Sequence, residues 1–138
     1  MLASSRRAGT RVAPPAPILS IRIRIHWQDQ FAMGPGKADL LETVAATQSI
    51  AAAGRVLGYS YAKTRRLLEE MNSAFRTPLV TTVRGGRHGG GARVTEMGFQ
   101  ALALFRAMET KAMASVQEGV MAFRDLLGEV PGGNAPRP

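Results

Sequence analysis

Cysteine is absent from the chain of 138 residues, which excludes a disulfide scaffold, a thiolate nucleophile, cysteine-ligated zinc and an iron–sulfur cluster together. Histidine is nearly absent. His26 and His88 stand far apart in sequence with no clustered carboxylates or cysteines, so a metal site has no basis and surface histidines are the expectation. No apolar run approaches the roughly 18 residues needed to cross a bilayer. The early arginines Arg6, Arg7 and Arg11 are not followed by the apolar stretch of a secretory signal. A cytoplasmic protein without a membrane partner is therefore expected. Acidic residues are the scarcer charge, 10 against 18 Lys plus Arg, which leaves a formal net charge of +8. A surplus of that size on a small chain points to an anionic partner, nucleic acid before acidic lipid. The rest of the composition is ordinary. With 45% hydrophobic and 20% charged residues there is apolar material for one core, and the length suits one domain rather than a two-domain enzyme.

The surplus is uneven. Residues 1–24 carry +5, residues 25–54 carry −2, residues 55–93 carry +6 and residues 94–138 carry −1. The third block holds Arg55, Lys63, Arg65, Arg66, Arg76, Arg84, Arg87 and Arg93 against Glu69 and Glu70 alone, so the structure that carries it matters most.

Residues 1–17, with Pro14, Pro15, Pro17 and few apolar groups, are expected to be a disordered lead-in. Ile21, Ile23, Ile25 and Trp27 then alternate with Arg22, Arg24 and His26, the period of two of a strand with one buried face; Arg22 and Arg24 would face solvent or a polyanion. A turn at Gly34-Pro35-Gly36 leads into a helix with Leu40, Leu41, Val44 and Ala45 as its stripe. Ser49 can accept a hydrogen bond from an otherwise orphaned backbone N–H and so opens a second helix, with Ile50, Ala53, Val56 and Leu57 inward. Gly58 fits the left-handed position that closes a helix, and Ser60 caps the next. That third helix places Thr64, Leu67, Leu68, Met71 and Phe75 on one side and is stopped by Pro78. Helix, glycine-bearing turn, helix is the helix-turn-helix pattern.

Leu79 to Val83 and Ala92 to Val94 are β-prone around the Gly-rich run Gly85 to Gly91, which predicts a hairpin with a basic tip. Thr95 caps a last helix reaching about Leu127, with Leu102, Phe105, Met108, Ala112, Val116, Val120, Phe123 and Leu127 spaced by three or four. At about 1.5 Å per residue this helix is roughly 45 Å long, more than one small domain covers. Its stripe therefore predicts a homodimer. Gly119 is a candidate bend or break within it. The predicted fold is mainly α with a small β-sheet, a winged helix-turn-helix with a long C-terminal dimerisation helix. The segments are a lead-in over 1–17, the winged helix-turn-helix over 18–95, the dimerisation helix over 96–128 and a disordered tail over 129–138.

Functionally, the outward side of the third helix carries Ser60, Tyr61, Ala62, Lys63, Arg65 and Arg66. A helix of this size fits the major groove of duplex DNA. Arginine suits the task because its planar fork donates two hydrogen bonds to guanine or clamps one phosphate. The competing reading is a solvated face in which Arg65 pairs with Glu69 and Arg66 with Glu70. In the hairpin Arg84, Arg87, His88 and Arg93 form a wing whose glycines allow close approach to the DNA backbone. A P-loop is excluded because no Lys-Ser or Lys-Thr follows the glycines. Gly86-Arg87-His88-Gly89 matches the four-letter GxxG word of KH domains but lies between β-like segments rather than helices. Ser49 and Ser60 are caps rather than nucleophiles, so no catalytic residue, metal or cofactor is expected and the protein is not expected to be an enzyme.

Certain words carry a family resemblance. Gly34-Pro35-Gly36-Lys37, Thr47-Gln48-Ser49-Ile50-Ala51-Ala52-Ala53, Leu57-Gly58-Tyr59-Ser60-Tyr61, Glu70-Met71-Asn72 with Phe75, the GGRHGGGA wing and Val94-Thr95-Glu96-Met97-Gly98 resemble the N-terminal DNA-binding domain of the ModE family of bacterial molybdate-dependent transcriptional regulators. The resemblance spans residues 18–110, and the Met-Asn-x-x-Phe and wing words favour this family over LysR-type winged helices. It implies a homodimer on double-stranded DNA. By position, Ser49 would open the positioning helix, Ser60, Tyr61, Lys63, Arg65 and Arg66 would sit on the recognition helix, and Arg84, Arg87 and Arg93 would belong to the wing. Full-length regulators of this family add a C-terminal molybdate-binding region, which would begin where this chain ends, so direct molybdate binding is not expected. The alternative is an interaction module that partners a separate regulator through the long helix and has only nonspecific DNA affinity.

Overall fold

Strand pairing begins late in the alternating segment. In the computed structural model, which describes residues 16–83 and 91–129, only Ile25–Trp27 pairs (β1), and residues 16–24 run on without regular secondary structure. Its partner is β2, Gln30–Met33, antiparallel with His26 opposite Phe31 and Trp27 opposite Gln30. No alternating pattern marks β2. The turn between them contains no glycine; Gln28 takes the left-handed conformation, φ 51°, in its place. Ile21, Ile23 and Ile25 are half-buried as the alternation requires, but Trp27 is 63% exposed. The hairpin is two strands wide, and among the described residues nothing covers its tip.

Three helices follow: α1 (Pro35–Thr47), α2 (Ile50–Leu57) and α3 (Tyr61–Ala74). Proline at the start of α1 suits a position whose N–H has no helical partner. Ser49 caps α2 by accepting from the Ala52 N–H at 3.1 Å, and Ser60 caps α3 by accepting from Lys63 N–H at 3.1 Å. Gly58 closes α2 at φ 71°, where a side chain would be strained. The inner face of α2 differs from expectation. Ala53 and Gly54 are buried, whereas Val56 is 69% exposed. The cause is the closeness of α2 to α3: a Cβ on Gly54 would lie 2.6 Å from Thr64 Oγ1. Small residues, not Val56, make that contact. On α3, Thr64, Leu68 and Met71 face the core as the spacing predicts.

β3 (Val80–Val83) and β4 (Gly91–Val94) pair antiparallel from Val80 opposite Val94 to Val83 opposite Gly91. Asn72 fastens this hairpin to α3. Its side chain accepts from the Leu79 and Val80 N–H groups at 2.9 and 3.2 Å and donates to the Val80 carbonyl at 3.0 Å. Thr95 caps α4 (Glu96–Arg124) by accepting from Gly98 N–H. The helix has 29 residues and continues through Gly119 without a break.

The chain is mainly α with a small β component, as predicted. It divides into two compact units, Ser20–Ser115 and the two chain ends Met1–Leu19 with Val116–Pro138. Among the described residues the core lies in the first, built on Met33, Leu40, Leu41, Val44, Met71, Leu79 and Phe105. In the second, α4 leaves Val116, Met121 and Phe123 exposed. The expectations for the lead-in and the tail fall almost entirely outside the described residues.

Candidate nucleic-acid interface

Helical geometry sorts the surface of α3 into three rows at roughly 100° per residue. With Thr64, Leu68 and Met71 inward, the row pointing directly away from the core is Ala62, Arg66, Glu69 and Ser73. Tyr61, Arg65 and Asn72 lie on one flank, Lys63 and Glu70 on the other. The first flank faces the β3–β4 hairpin, where Ser49, Tyr61 and Arg65 line one surface depression with Thr82 and Gly91. Arg65 donates to the Tyr61 hydroxyl at 3.3 Å. That bond, above all, holds the Arg65 pKa above its ordinary value. On the second flank the Lys63 ammonium sits 4.0 Å from the centre of the Tyr59 ring.

Tyr61, Ala62, Lys63, Arg65 and Arg66 are all exposed. The intrahelical ion pairs weighed against a functional face do form, Arg65 with Glu69 at 3.8 Å and Arg66 with Glu70 at 3.7 Å. Both are long and solvent-exposed, so they hold their arginines only weakly. Ser49 and Ser60 spend their hydroxyls as caps. Arg93 is exposed on β4 opposite Thr81. Arg84, Arg87 and His88 lie outside the described residues.

Two polar clasps, absent from the sequence-based expectations, tie the elements together. Lys37 is 1% exposed. Its ammonium donates to the Phe31 carbonyl, lies 4.2 Å from the centre of the Phe31 ring and pairs with Glu70 at 3.1 Å. This joins α1, β2 and α3. The signal was available: Lys37, Leu40, Leu41 and Val44 share the spacing of one buried stripe. A second clasp is Arg106 of α4, which bonds Asp39 at 2.6 Å and Glu42 and Glu109 at 2.7 Å each. The bond to Glu42, foremost, keeps the Arg106 pKa well above its ordinary value.

Of the residues expected to dimerise, Phe105 is corrected: at 1% exposure it belongs to the core of its own chain. Leu102 packs half-buried against that core, and Ala112 and Val120 are half-buried. Met108, Val116, Phe123 and Leu127 are exposed, joined by Leu104, which the stripe did not include. Leu104 and Met108 line an apolar cleft of about 470 Å³ with Trp27, Met33, Phe75 and Met97. Among the described residues no group of three or more His, Cys, Asp or Glu could hold a metal ion. No described helix is long and apolar enough to cross a membrane.

Fold and surface together define a mainly α unit in which a short capped helix precedes a basic one beside an antiparallel hairpin. Among known proteins, no family model matches the chain. It is 40% identical over 93 residues to the molybdenum-pterin-binding protein MopA of Rhodobacter capsulatus, covering 65% of this chain and 35% of that protein. It is 32% identical over 103 residues to the molybdenum transport protein ModE of Azotobacter vinelandii, covering 75% and 37%. It is 26% identical over 113 residues to the transcriptional regulator ModE of Yersinia pestis, covering 80% and 43%. The chain thus spans about a third of the length of the first two relatives.

Proposed function

We propose that this chain is a ModE-type winged helix-turn-helix that binds double-stranded DNA site-specifically as a homodimer and regulates transcription. In this reading α2 crosses the backbone, α3 enters the major groove, and β3–β4 is the wing. The observation that carries it is the exposed row and flanks of α3. Lys63, Arg65 and Arg66 project from a helix whose opposite side is packed into the core, and all three are exposed. The name of the Yersinia pestis relative supports a regulatory role. Two copies related by a twofold axis would present two α3 helices to half-sites about one helical turn, roughly 34 Å, apart.

Replacing Lys63, Arg65 and Arg66 together with Ala tests the reading by gel shift and salt titration on a duplex selected with the wild-type protein. The expected outcome is loss of site preference and a salt slope shallower by about 0.9 for each phosphate contact removed. Unchanged affinity and slope would refute it. The names of the relatives make molybdenum a natural effector to examine, so the titration is run with and without molybdate; a shift in affinity would assign direct sensing to this chain.

A second reading is favoured by the apolar cleft beside α4: an interaction module docking on a separate regulator. It requires a stable heterocomplex and DNA binding of only about 10⁻⁴ to 10⁻⁶ M whatever the sequence.

A further inference from the structure

The arginines of the segment leading into β1 have no role in the reading above. Arg22 and Arg24 are both exposed, and among the described residues neither has a carboxylate partner. Arg24 is nevertheless held in place. Its guanidinium carbon stands 4.5 Å from the centre of the Phe31 ring, the ring that also receives the buried Lys37 ammonium at 4.2 Å. Lys37 is neutralised by Glu70 at 3.1 Å, and the other oxygen of Glu70 reaches Arg66 at 3.7 Å. A chain of contacts therefore runs from Arg24 through Phe31, Lys37 and Glu70 to Arg66 on the outward row of α3. At the far end of that row, Ser73 Oγ meets the Gln30 side chain at 3.3 Å. The β1–β2 hairpin thus borders α3 on the Lys63 and Glu70 flank, while β3–β4 borders the Arg65 and Asn72 flank.

We infer that Arg22 and Arg24 form a second backbone clamp, contacting phosphates of the same duplex on the side of α3 away from the wing. The inference rests on the DNA-binding reading. Its physical basis is charge and order. Glu70 is one carboxylate shared between Lys37 and Arg66, so with Arg24 this edge carries three cations against one acid and keeps a net positive charge. The contact with the Phe31 ring restrains Arg24, which reduces the entropy lost when a phosphate binds. Contacts of this kind fix position and carry no base preference.

Hydroxyl-radical footprinting of the wild-type protein on its selected duplex reads the clamp directly, as protection of backbone positions flanking the α3 contact on the side opposite the wing. An Arg22→Ala, Arg24→Ala variant is expected to lose that flanking protection and to lower the salt slope by about 1.8 per protomer, at about 0.9 per phosphate. Its ranking of cognate over mutated duplexes stays unchanged. Phe31→Leu, with both arginines kept, should give a smaller loss of the same flanking protection. Wild-type binding without flanking protection, or an unchanged slope in the double variant, overturns the clamp and leaves the DNA-binding reading standing. A wild-type protein with no site preference overturns both.

Discussion

A buried ammonium is tolerated only where its hydrogen-bonding and charge are met, and Lys37 meets both with the Phe31 carbonyl and Glu70. The two partners are not equivalent. Glu70 is 40% exposed and retains Arg66 as an alternative partner, whereas Lys37 has no access to water. Lys37→Met should therefore cost little, about 1–2 kcal/mol, because no charge is left stranded. Glu70→Ala should cost about 3–5 kcal/mol because an unpaired ammonium remains inside. Urea unfolding of the two variants checks the order, and a larger loss for Lys37→Met would contradict this account.

Among the elements, α4 is clasped to α1 through Arg106, beside the packing of Phe105 into the core. Arg106 satisfies Asp39, Glu42 and Glu109 at once, and hydrogen bonds to charged groups contribute about 1.5–3 kcal/mol each when desolvated, less at a partly exposed site such as this. Arg106→Met is expected to lower stability by about 1–3 kcal/mol, read from denaturant midpoints. The pH dependence follows from the sign of the shift. The folded-state pKa of Arg106 is raised, so its contribution is complete below the unfolded-state pKa and is lost only as pH climbs through the higher folded value. Across about pH 6–9 the stability difference between wild type and Arg106→Met should be flat. A slope there would place the titrating group elsewhere. The caps of α2 and α3 could be read from Ser49, Gly58 and Ser60 because each acts on a backbone group within three residues. The Arg106 clasp could not: Asp39 is 67 residues away, and no local pattern marks it.

For the whole molecule, Leu104 at 60% exposure and Met108 beside the apolar cleft make a surface that a second copy would cover. In the proposed dimer, Leu104→Glu with Met108→Glu should turn a chain that sediments at twice its mass into a monomer. It should also weaken DNA binding more than tenfold by breaking the two-site contact. A variant that stays dimeric would move the interface off this surface. The fold stability of the variant should be little changed, since neither side chain belongs to the core.

The net charge of +8, its concentration between Arg55 and Arg93, the two capped helices with their glycine turn and the long last helix were all determined by sequence alone, because charge is additive and caps and periodicities are local. Tertiary packing decided the rest. It paired β1 with a strand that has no sequence signature, turned Val56 and Trp27 outward, took Phe105 into the core, and buried Lys37 against Glu70. The physical reason is that a periodic pattern fixes which residues share a face, whereas only the approach of a second element decides whether that face is covered.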